Sequence, residues 1–134
     1  MIAIALATAQ LAAASTPPAP LMPPQDWSGL RPLPYTRDAD DGANLSAFVQ
    51  AEVKAGRCAA ATQTAQGWTL KVDLAVLVGP AGQPRRIVPR AIACPSVEQY
   101  AAGLVSSMVR NSIPADATDT GGWYRTSLTF TWPA

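Results

Sequence analysis

The sequence predicts an α+β domain in which two helices cover one face of a three-stranded antiparallel sheet. Three observations carry this reading. Trp68, Leu70, Val72, Leu74, Val76 and Val78 alternate with Thr69, Lys71, Asp73, Ala75 and Leu77, the period of a strand with one buried face. From Ser96 the order S-V-E-Q opens an amphipathic stretch whose apolar residues recur at helical spacing. The chain closes on a second alternation, with Tyr124, Leu128, Phe130 and Trp132 on one side and Arg125, Ser127, Thr129 and Thr131 on the other.

Taken from the N-terminus, Met1 to Ala14 is an uncharged, small-to-apolar run of about 21 Å as a helix, short of the roughly 30 Å hydrocarbon layer. Ala12 and Ala14 supply an A-x-A pattern, so 1–14 reads as a secretory signal cleaved before Ser15, and the mature chain is expected to have no membrane span. Residues 15–43 form an extended linker, because seven prolines between Pro17 and Pro34 forbid a helix or a central strand. Trp27 and Tyr35 are the residues able to pin this linker to the domain. Asp38, Asp40, Asp41 and Gly42 come within one position of a calcium-loop register; a turn leading to an N-cap at Asn44 explains them better. The domain proper occupies 44–134.

Leu45, Phe48, Val49 and Val53 define the first helix, which Gly56 stops. The alternating strand from Trp68 follows, then the turn GPAGQP and a returning strand from Arg85 to Ile92. In the second helix Val97, Tyr100, Ala101, Leu104, Val105 and Met108 form the buried stripe, with Ser96 and Gln99 as a capping box. The hairpin and the returning helix place the three strands in the order second, first, third, all neighbours antiparallel.

Composition narrows the function. The 10 Lys and Arg balance 9 Asp and Glu, giving a formal charge of +1 and no field suited to nucleic acid. Histidine is absent, which removes triads and zinc sites built on imidazole. Neither a thiol without an imidazole partner nor a carboxylate trio in a turn provides an activated nucleophile, so no catalytic residue, metal or cofactor is expected. The topology puts both cysteines, Cys58 and Cys94, at one end of the sheet, where a disulfide would close a loop of about 37 residues worth roughly 4 kcal/mol. Together with the signal-like run, this points to a periplasmic or secreted protein.

The two sheet edges are not equivalent. The returning strand carries Pro89 with Arg85, Arg86 and Arg90, a pattern that blocks edge pairing. The last strand has no proline before Pro133, so its outer edge is open to strand addition unless the proline-rich linker covers it. The candidate peptide-binding residues are therefore Arg125, Ser127, Thr129 and Thr131.

From Asn44 to Trp132 the pattern resembles the C-terminal domain of TonB, the periplasmic part of an energy transducer that engages outer-membrane receptors. The features that carry the resemblance are GWTLKVDLAVLV, GPAGQP followed by RRIVPRAI, SVEQYAAGLVSSMVRNSI and YRTSLTFTW. The resemblance implies a free, secreted binding module that captures a receptor segment as a strand beside its last strand, in connection with transmembrane transport. The alternative is a disulfide-held structural or accessory domain with no peptide ligand.

Overall fold

A computed structural model describes residues 20–35, 42–110, 113–114 and 121–134. The signal-like run, the acidic turn at Asp38 to Asp41 and most of the loop after the second helix lie outside the described residues. The elements in chain order are β1 (Arg31–Pro32), α1 (Gly42–Lys54), β2 (Thr62–Thr64), β3 (Gly67–Val78), β4 (Pro84–Pro89), α2 (Pro95–Val109) and β5 (Gly122–Trp132).

β3 is the spine of the sheet. It pairs antiparallel with β5 along its whole length, from Trp68 opposite Trp132 to Val78 opposite Gly122. On its other side it pairs antiparallel with β2 at Gly67 to Thr69 and with β4 at Leu74 to Val78. β1 lies outside β5 and runs parallel to it, Arg31 opposite Tyr124 and Pro32 opposite Arg125. The fold is α+β as the sequence predicts, but the sheet is five-stranded and mixed, which corrects the expected three-stranded antiparallel arrangement. Both additions escaped the periodicity for a physical reason. β2 is the polar triplet TQT with no apolar alternation, and β1 holds a proline that can pair only at an edge.

One apolar core lies between the sheet and both helices. Leu70, Val72, Leu74, Val76, Leu128, Phe130 and Trp132 form its floor, and Val49, Val97, Ala101, Val105 and Val109 form its roof. In α2 the buried residues recur every four positions, a single ridge laid along the sheet. α1 differs from the expected apolar stripe. Among its described side chains the fully buried apolar residue is Val49, Phe48 is 40% exposed, and the other buried positions are Ser46 and Glu52. Tyr100 joins the helices by donating its hydroxyl to the Leu45 carbonyl at 2.8 Å while its ring stacks on Phe48 at 4.6 Å.

The helix ends show how local sequence sets these positions. α1 begins at Gly42, two residues before the expected cap, and stops at Gly56, whose φ of +77° suits glycine. The Arg57 amide then donates to the Glu52 carbonyl and the Gly56 amide to the Val53 carbonyl, the two bonds of a Schellman stop. At α2 the Ser96–Gln99 capping box does not form, because the helix starts two residues earlier, with Cys94 as N-cap and Pro95 in the first turn. Glu98 supplies the cap instead, accepting the Ile92 and Cys94 amides at 3.2 and 3.0 Å. Ser96 is thereby released to donate to Glu52 at 2.8 Å, tying the start of α2 to α1.

Cys58 and Cys94 are bonded to each other with their Cα atoms 5.1 Å apart. The bridge links the chain just after the α1 stop to the N-cap of α2, and both sulfurs belong to the core. No helix among the described residues is long and apolar enough to cross a membrane.

Candidate functional site

Alternation along β3 assigns Ala75 and Leu77 to the face away from the helices, yet they are 0% and 5% exposed. The proline-rich segment is tied to their cross-strand neighbours, Arg125 beside Ala75 and Trp123 and Arg86 beside Leu77. From Pro20 to Tyr35 the chain crosses the outer face as a strap and reaches the β5 edge. The Trp123 indole N–H donates to the Pro20 carbonyl at 2.7 Å, and Arg125 Nε donates to the Leu30 carbonyl at 2.7 Å. Arg90 stacks over the Trp27 ring at 4.0 Å and reaches the Gln25 carbonyl at 3.5 Å. Tyr35 ends the strap with a hydroxyl contact to Thr126 at 3.0 Å. A sequence signal for this cover exists: Leu74 to Val78 is a continuous apolar run, the mark of a strand buried on both faces.

Arg125, Ser127, Thr129 and Thr131 do fall on one row of β5, but their surroundings differ. The Arg125 carbonyl accepts the Leu33 amide at 2.9 Å, so this end of the edge already holds β1. At the other end the Thr131 amide donates to Ser46 Oγ of α1 at 3.1 Å. These two bonds show that the odd-numbered residues turn their main-chain groups away from β3. Ser127 is not free either. Thr129, exposed and facing the same way, has no partner for its outward main-chain groups among the described residues. Sequence reasoning found the row and missed Ser46, whose hydroxyl reads as an ordinary helix-surface group until the helix is docked.

The strap does not lie flat. Between it and the sheet is a cleft of about 580 Å³ lined by Trp27, Tyr35, Lys71, Asp73, Arg90 and Arg125, among others. Three of these are cationic. Lys71 sits 3.7 Å from Asp73, an exposed pair of little energetic weight. Asp26, also in the wall, accepts the Ser28 hydroxyl and amide, which hold its carboxyl below the usual range. Arg125 uses Nε on the strap, and its outer nitrogens make no hydrogen bond among the described residues, so the cleft favours a ligand that presents acceptors. Both cysteines being bridged, neither is available as a nucleophile. Among the described residues no group of three His, Cys, Asp or Glu is placed to hold a metal ion.

Compared with protein-family models, curated proteins and solved structures, the chain shows no match.

Proposed function

We propose that the protein is a binding module of the TonB C-terminal type that works outside the cytoplasm and captures an extended peptide, such as an outer-membrane receptor segment, as a strand added to β5. The observation that supports this most is that the β5 edge already takes a strand. Residues Arg31 to Leu33 of the same chain pair with Tyr124 and Arg125, so the geometry of this edge suits main-chain ladder bonds. A partner running along Ser127 to Thr131 would meet the outward groups of Thr129 directly. At Thr131 it would displace the buried Ser46 hydroxyl of α1, a cost that the new main-chain bond offsets only in part. Arg125, Thr129 and Thr131 are exposed and would select the bound sequence. The disulfide fits an oxidising compartment, as this reading requires. Titration with an outer-membrane receptor's N-terminal peptide tests the proposal by whether the amides of Ser127 to Thr131 shift.

A second reading, a structural or accessory domain without a peptide ligand, is favoured by the same edge seen differently. Leu33 and Ser46 satisfy its two ends from within the chain. An edge so defended against pairing is also what a non-binding domain needs.

A further inference from the structure

The strap shows what the outer face of the sheet recognises. Three of the hydrogen bonds that fix the strap's outer-face course go to its backbone carbonyls, Trp123 on Pro20, Arg90 on Gln25 and Arg125 on Leu30, while Arg86 reaches the Met22 sulfur at 3.8 Å. The donors are an indole and two guanidiniums, groups that donate and cannot accept. Such a surface suits a peptide rich in carbonyls and poor in N–H groups, which is what proline confers. Proline lacks an amide hydrogen, leaves its carbonyl turned to solvent in an extended chain, and has little conformational entropy to lose on docking. The strap carries Pro20, Pro23, Pro24 and Pro32 within this course. It also brings an aromatic, Trp27, against the cation Arg90, and an aliphatic, Leu33, that is 7% exposed beside the edge.

We propose that the outer face and the adjoining β5 edge form a receptor for a proline-containing extended peptide, of which Pro20–Leu33 is the resident occupant in cis. The proposal rests on the strand-capture reading in that the edge must accept a chain in trans, and it adds the chemical class of that chain. A tethered occupant enjoys an effective concentration in the millimolar range, so it masks the site from dilute competitors and must be weakened before a second peptide is seen.

The test uses the full chain, the full-chain variant Trp27→Ala, and a synthetic peptide of the sequence Pro20 to Leu33, followed by NMR. Losing the stack on Arg90 loosens the strap, so the peptide should bind Trp27→Ala roughly 3- to 30-fold more tightly than wild type, with the Trp123 indole N–H and the Arg125 amide shifting. Trp123→Phe placed in the Trp27→Ala chain keeps an aromatic ring, removes the donor to the first carbonyl, and should weaken binding again. A proline-free peptide of alternating threonine and valine separates the two proposals. If that peptide shifts Ser127 to Thr131 while the proline peptide binds neither protein, strand capture stands and this inference is overturned. If neither peptide binds either protein, both fall. Equal affinity of the proline peptide for wild type and Trp27→Ala, with no shift at Trp123, also overturns the inference.

Discussion

The Leu33 amide donates to the Arg125 carbonyl at 2.9 Å, so the proline-rich N-terminal segment and the last strand of the domain share a main-chain hydrogen bond. This bond makes the strap part of the sheet. It also shows that an extended chain can lie beside β5 in the parallel direction, the relationship on which the functional reading is built.

Cys58→Ser should lower unfolding stability by roughly 2 to 5 kcal/mol, because the native bridge spans a separation of 36 residues and its removal frees the unfolded chain. Thermal melts with and without reductant measure it. The reductant should move wild type toward the variant and leave the variant unchanged.

Acid should weaken the joint between the helices. Two hydrogen bonds from Arg57, at 2.9 and 3.0 Å, and then the Ser96 hydroxyl hold the Glu52 carboxyl below its ordinary value. A carboxyl lowered on folding stabilises the fold fully above the unfolded value of about 4.3, and that stability is withdrawn as the pH falls through the lower folded value. Melting temperature should therefore drop below about pH 4.3, and Glu52→Gln should flatten that part of the curve. Asp26 is lowered in the same direction by Ser28, so the difference between wild type and Glu52→Gln, rather than either curve alone, isolates the pair.

Gly56→Ala should cost about 1 to 2 kcal/mol, since a Cβ there meets nothing within 4 Å and the penalty is that of a left-handed backbone alone. Gly67→Ala should cost more. Its φ is +139°, and a Cβ would also lie 2.9 Å from the Ala134 amide nitrogen and the Pro133 Cα. Denaturant titration of the two variants gives the comparison.

How much of this was legible beforehand follows from which signals are local. The alternation of Trp68 to Val78 and of Tyr124 to Trp132 and the Gly56 stop are patterns within one element, and each is found where the sequence puts it; of the expected α2 stripe Val97, Ala101 and Val105 are buried, Tyr100, Leu104 and Met108 are half-buried, and Val109 completes the ridge. The bridge between Cys58 and Cys94 followed from connection lengths. What escaped was created by docking. Ser46 and Glu52 are buried because they meet Thr131 and Ser96, partners far away in sequence. β1 is a strand only because the β5 edge is there to pair with it. Ala75 and Leu77 are the exception, an apolar pair on the face assigned to solvent that already signalled a second cover. The row Arg125, Ser127, Thr129 and Thr131 was legible as a row, and cover by the proline-rich segment stood as an alternative for its edge, while the Ser46 contact at Thr131 had no sequence signal.

The measurement that bears most directly on strand capture is an NMR titration of the full chain with an outer-membrane receptor's N-terminal peptide, repeated on Thr129→Pro and Thr69→Ala. The Thr129 amide faces away from β3, so proline there removes the outward donor while sparing the ladder to β3, which the even-numbered residues Leu128 and Phe130 make opposite Val72 and Leu70. Thr69 lies on the internal strand β3 and serves as the control. The account predicts shifts concentrated on Ser127 to Thr131 in wild type and Thr69→Ala, and their loss in a folded Thr129→Pro. Shifts confined to Arg85 to Pro89, or undiminished binding by Thr129→Pro, would contradict it.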